Sequence, residues 1–236
     1  MAVRALVFDV FGTLVDWRTS IARDLERFGV TRGIACDWTA FVDAWRDAYV
    51  PAMDRVRRGE SAWKNLDALH GESFDVLAQR FALPPLDASD RTWFVRRWHE
   101  LEPWPDVRTG LERLRRRKLL GTLSNGNVAL LVDLARFGDL RFDLVYSSEI
   151  PRRYKPDAQT YLGVVELLAL EPHEVMLVAA HNGDLAAAAG CGLRTAFVAR
   201  PTEYGPAQKK DLVPGAGIDV AVRSLGELAD YFEAYL

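Results

Sequence analysis

The chain has 236 residues, a length that suits one α/β domain with an insertion, or two small domains. Its 49% hydrophobic and 27% charged content is that of an ordinary globule, and a formal net charge of −3 offers no footing for nucleic acid or a membrane surface. Cys36 and Cys191 lack metal-type spacing and read as free thiols of a reducing compartment, so a cytoplasmic location is expected.

The first fifteen residues are apolar but contain Asp9 and no small-residue cleavage site, so they read as a buried strand rather than a signal peptide. That strand, 3–8, stops at Asp9, and Gly12 follows before a helix over 17–28. Between 17 and 100 no strand is expected. Helices are expected over 40–56, 62–81 and 89–101, with Pro84 and Pro85 breaking the last two apart. The rhythm then changes. A helix over 106–118, capped by Asp106, leads to a strand at 119–123, and the basic run 113–118 reads as a solvated helix C-terminus. A helix to about 137, a strand at 142–146 and a helix at 157–170 follow. Further strands are expected at 175–180, 195–198 and 219–222, with helices near 184–190 and over 224–235. No apolar run approaches the ~20 residues of a membrane span.

Alternating apolar strands and helices predict a Rossmann-like, doubly wound parallel sheet, with a small helical cap inserted after the first strand. The expected core is 1–14 with 101–236, and the expected cap is 15–100. Ligands of such sheets gather beyond the carboxyl ends of the strands. Asp9, Ser124, Asn125, His181, Asn182 and Asp184 all fall there. Taken singly, each has an ordinary explanation. Asp9 is a loop-fixing carboxylate, Ser124-Asn125 a helix cap, Lys155 a surface lysine ahead of Pro156, and His181 a structural histidine. Four polar strand ends together are harder to explain that way.

The runs FDVFGTL (8–14), LSNGN (123–127), YKPD (154–157) and HNGDLAAA (181–188) resemble the four ordered motifs of the haloacid dehalogenase superfamily. Within it, the pattern resembles the L-2-haloacid dehalogenases. Phosphatases of the superfamily carry a second Asp where this chain has Phe11, and an acidic metal-holding residue where it has Ala180. A halide departs without protonation, and a monoanionic acid needs less cationic help than a phosphate dianion, so no metal and no cofactor are expected. The resemblance implies Asp9 as nucleophile, oriented by Thr13, with Lys155 and Asp184 supporting it and the hydrolytic step. It implies Arg46 and Asn125 at the halogen, Ser124 at the substrate carboxylate, and Tyr161 in the same site. Phe11 stands where a tyrosine is common, and Ala179, Ala180 and His181 replace a Ser-Ser-Asn run. Phe11, His181 and Asn182 are therefore placed among the substrate-binding residues. Trp45 and Trp63 carry little weight, since aromatics on such helices are usually core.

The implied reaction converts small L-2-haloacids or haloacetates, fluoroacetate included, to 2-hydroxyacids and halide through an Asp9 ester. The His181 imidazole is expected to narrow the pocket and to add a donor for fluoride. The rival reading is a phosphatase acting on a small phosphate ester. The expected partner is the small acid alone, with a homodimer through an exposed cap helix.

Overall fold

The structure, a computed structural model, describes residues 2–234. Five strands form one all-parallel sheet: β1 (Ala5–Phe8), β2 (Leu119–Thr122), β3 (Val175–Ala179), β4 (Arg194–Val198) and β5 (Val220–Val222), in the order β2-β1-β3-β4-β5. The pleat sends Leu6 and Phe8 to one face and Ala5 and Val7 to the other, and each pair joins a separate buried cluster. Strands buried on both faces explain the unbroken apolar runs in the sequence. β1 lies where the strand order reverses, which opens a crevice at its carboxyl end.

Between β1 and the rest of the sheet come α1 (Trp17–Arg32), α2 (Trp38–Asp47), α3 (Tyr49–Arg57), α4 (Leu66–Arg80) and α5 (Ala88–Arg96), with a 3₁₀ turn at Arg97–His99. Side-chain caps start four of them: Asp16 accepts from Thr19, Asp37 from Ala40, Asn65 from Ala68 and Asp87 from Asp90. Gly33, at φ 65°, ends α1. The chain enters and leaves these helices side by side: Val15 bridges Pro103, and Asp16 N–H donates to the Glu102 carbonyl at 2.9 Å. Trp17, Trp45, Trp98 and Phe94 of this segment share one continuous core with Leu6, Phe8 and Phe11. After the insertion come α6 (Val107–Arg115), α7 (Val128–Phe137), α8 (Ala158–Leu167), α9 (Asn182–Gly190) and α10 (Leu225–Ala234). The last residue of the helix expected over 224–235 lies outside the described residues.

Four local expectations need correction. The helix expected over 40–56 is two helices broken at Ala48, because Pro51 has no N–H to return to Asp47. The helix expected from 62 begins at Leu66, where Asn65 caps it. The stretch 142–146 is not a strand. Its backbone pairs with β2 around a single isolated bridge, Leu144 to Gly121, and the ladder stops there because the Asp143 carboxylate, not a carbonyl, takes the Leu120 N–H at 3.0 Å. Asp106 makes no side-chain cap to α6. Its carboxylate accepts a bidentate pair from Arg200 at 2.8 and 3.0 Å and the Leu225 N–H at 2.8 Å. Arg200 also donates to the Thr13 carbonyl at 2.9 Å, so this knot fixes the loop after β1.

Candidate active site

Asp9 follows β1 directly and is buried; its N–H extends the ladder to the Val178 carbonyl at 3.0 Å. Each carboxylate oxygen is engaged. Oδ1 accepts from Lys155 Nζ at 2.9 Å, and Oδ2 accepts from Thr13 Oγ1 at 2.8 Å, with His181 Nδ1 at 3.2 Å. Thr13 is fixed in turn by the Ala180 N–H, which donates to its hydroxyl at 3.0 Å. Burial alone would push the Asp9 carboxyl up, but the Lys155 ammonium and His181 outweigh it and hold it far below the usual carboxylate range. Asp9 is therefore held as an ionised carboxylate with both oxygens fixed in direction.

Lys155 Nζ also donates to Asp184 Oδ2 at 2.6 Å, and the Tyr161 hydroxyl donates to Asp184 Oδ1 at 2.6 Å. Burial would lower the Lys155 ammonium; Asp184 and Asp9 more than reverse this, so the lysine stays charged. Lys155 is held from the other side as well, since its N–H donates to Asn125 Oδ1 at 2.9 Å. Asn125 Oδ1 takes the Ser148 hydroxyl too, at 2.7 Å, which leaves its amide N–H groups for the site, beside the Tyr49 hydroxyl. Ser124 is fully buried, with its hydroxyl accepting the Gly126 N–H at 3.2 Å.

Arg46 reaches the opposite wall from α2. Its guanidinium lies 4.5 Å over the Tyr49 ring and 5.3 Å from the Trp17 ring, and Nη1 is buried with no partner among the described residues. Phe11 is buried edge-on to Trp98 and forms apolar wall. Trp45 is core, and Trp63 stacks on Tyr154 in a separate small cluster. Asn182 does not join the group. Its amide donates to Asp211 at 2.9 Å and to the Val213 carbonyl at 3.0 Å, and its oxygen accepts the Gly215 N–H, so it fastens the 211–215 loop instead.

Besides Tyr49 and Tyr204 of the cleft wall, two residues at the site had no sequence signal. Glu203, in the loop after β4, is 1% exposed, and its Oε2 faces His181 Nε2 at 2.8 Å. Trp17 Nε1 donates to its other oxygen at 3.0 Å. Burial would raise the Glu203 carboxyl, but His181 and Arg46 hold it below its ordinary value. His181, whose charge burial opposes, is held well above an ordinary imidazole by Glu203 and Asp9. Lys210 is the second: its ammonium sits 3.7 Å from the Tyr204 ring at the rim of a cleft of about 260 Å³ that also exposes Arg46, Tyr49 and His181.

The model of the haloacid dehalogenase-like hydrolases matches residues 3–192. The chain belongs to that family. Among solved structures, an L-2-haloacid dehalogenase superposes with a TM-score of 0.96 at 45% identity, over 99% of this chain and 100% of that one. A defluorinating L-2-haloacid dehalogenase gives 0.96 at 42% identity, over 98% and 95%. The (S)-2-haloacid dehalogenase 1 of Pseudomonas sp. (strain CBS-3) is 29% identical over 218 residues, covering 88% of this chain and 91% of that one. The parallel sheet and its insertion after β1 are thus the fold of these hydrolases.

Proposed function

We propose that this hydrolase cleaves the carbon–halogen bond of small 2-haloacids, with the helices 17–99 closing as a cap over Asp9. The observation that carries the reading is an ionised Asp9 faced by the cations Lys155 and His181, with no second carboxyl two residues beyond it to act as an acid. Two residues beyond it stands buried Phe11, which has no proton to give an alkoxide, whereas halide leaves without one. In the first step Asp9 attacks the substrate carbon in line, inverts it and expels halide toward Arg46 Nη1 and the Asn125 amide. Lys155 and Ser124 receive the substrate carboxylate. Water then attacks the Asp9 carbonyl carbon and frees the 2-hydroxyacid.

The names of the relatives support the reaction, and the 42% identical defluorinating neighbour supports fluoroacetate as a substrate. A cleft of about 260 Å³, walled by Tyr49, His181 and Tyr204, supports acids with a short chain. Free Cys36 and Cys191 fit a reducing compartment such as the cytoplasm.

The test is halide release from fluoroacetate, chloroacetate, L-2-chloropropionate and 2-chlorobutyrate, with and without EDTA, beside phosphate release from phosphoglycolate with Mg²⁺. EDTA-resistant halide release, weakest for 2-chlorobutyrate, is expected. Phosphate release without halide release would replace the proposal with the phosphatase reading.

A further inference from the structure

We propose that His181, backed by Glu203, is the general base that hydrolyses the Asp9 ester, and that formation of the ester is what switches it on. The inference rests on the function proposed above. Among the described residues, the other candidate bases near Asp9 are already committed. Asp184 has one oxygen on Lys155 and the other on Tyr161, both at 2.6 Å. Lys155 is a charged ammonium between two carboxylates. The Thr13 hydroxyl donates to Asp9 and accepts from Ala180.

His181 in the resting enzyme is not a base either. Its two nitrogens face carboxylate oxygens, Asp9 Oδ2 at 3.2 Å and Glu203 Oε2 at 2.8 Å. Ionised carboxylates only accept, so both nitrogens carry protons and the ring is an imidazolium. Alkylation removes one of those anions. Once Asp9 is an ester, Nδ1 faces a neutral carbonyl group while Nε2–H still points at Glu203. Glu203 still favours the charged ring, but the cations around it oppose that pull: Lys155 lies across Asp9, Arg46 Nη2 is 3.9 Å from Glu203 and Lys210 shares the cleft. The neutral ring left behind has the tautomer of a triad histidine, with a buried carboxylate fixing Nε2–H and a free nitrogen facing the reaction. Glu203 is itself fixed by Trp17 Nε1, and only a glycine at position 12 leaves room for its carboxylate.

The protons balance. Halide leaves as Asp9 is alkylated, and the Nδ1 proton of His181 is released to solvent. Water then gives one proton to Nδ1 as its oxygen bonds to the Asp9 carbonyl carbon. The bond to the alkyl oxygen breaks, the second water proton passes to that oxygen, and the hydroxyacid leaves. Asp9 is again a carboxylate and His181 an imidazolium. The net change is haloacid plus water to hydroxyacid, halide and one proton.

The experiment is rapid-quench kinetics with chloroacetate on wild type, His181→Asn, His181→Gln and Glu203→Gln, following halide and the intact protein mass. The His181 variants are expected to release about one halide per site and then stall, with steady-state turnover lowered ~10²–10⁴-fold and a carboxymethyl ester trapped on Asp9. Glu203→Gln should stall in the same way but less completely. Normal steady-state turnover, or loss of the first halide along with the rest, would overturn the assignment. If the variants do not fold, the wild type decides. Decay of its trapped ester should rise with pH through one ionisation while the halide burst stays flat; parallel pH profiles would refute the switch. A wild type that releases no halide from any haloacid would instead refute the proposed function.

Discussion

Gly12 and Glu203 occupy each other's space: a Cβ at Gly12 would overlap the Glu203 carboxylate. Gly12 also has φ 82°, in the left-handed region. Gly12→Ala therefore meets two penalties, and we expect a loss of about 1–3 kcal/mol in denaturant unfolding. Because the methyl displaces Glu203 and not Asp9, turnover of the ester should fall more than the halide burst. A variant of unchanged stability would show that the loop yields freely.

Lys155→Met leaves Asp9 and Asp184 buried without their shared cation. Removing one partner of a buried ion pair costs about 3–5 kcal/mol. We expect a stability loss of that order and loss of at least ~100-fold in kcat, equivalent to about 2.7 kcal/mol of barrier. Adding Asp184→Asn should recover part of the stability and none of the activity. Near-normal kcat in Lys155→Met would remove the lysine from the reaction.

Arg46→Lys keeps a charge but loses the planar contact over Tyr49 and the unpartnered Nη1. We expect kcat/KM for chloroacetate to fall by at least about tenfold, or ~1.4 kcal/mol, with the fold intact by circular dichroism. Fluoroacetate should suffer more than chloroacetate, since fluoride depends more on hydrogen bonding to leave. Equal losses for both would place Arg46 on the carboxylate.

His99 joins the inserted helices to the core. Nε2 faces Asp67 of α4 at 3.0 Å, and Nδ1 faces Asp133 of α7 at 2.8 Å. Burial opposes its charge and so does Arg96, but the two carboxylates hold it above an ordinary imidazole. A histidine raised on folding stabilises fully below its unfolded value of ~6.5, and that stabilisation disappears as pH rises through the folded value. Asp67 and Asp133, both held below their ordinary values, stay ionised across that window. His99→Asn should therefore cost more stability near pH ~6 than near pH ~9 in urea unfolding. A cost independent of pH would mean that His99 matters by shape alone.

The strand ends were legible because a polar residue there interrupts an apolar run, as Asp9 does after ALVF and His181 after VMLVAA. Lys155 stood out by its place ahead of Pro156, while Arg46 and Tyr161 came only through resemblance; the structure places Lys155 on Asp9 and Tyr161 on Asp184. Glu203 was invisible because it lies in a loop with no period, and its meaning depends on space left by a glycine 191 positions earlier in the chain. The stretch 142–146 misled because hydrophobicity reports burial, not ladder pairing, and the Asp143 side chain takes a bond that a strand would need. Asp106 was misplaced as a cap because its partner, Arg200, lies 94 residues away.

Asn182 fastens the 211–215 loop, and it is the residue next to His181. The same loop follows directly on Lys210, at the rim of the cleft. Entrance and imidazole are thus hung from one joint. Directed evolution toward bulkier acids, working through insertions near 210, would drag on the backbone that aims His181. Widened substrate range and slowed turnover should arise together in this chain, and libraries that hold Asn182 and its three loop partners fixed are the ones in which the two traits can be separated.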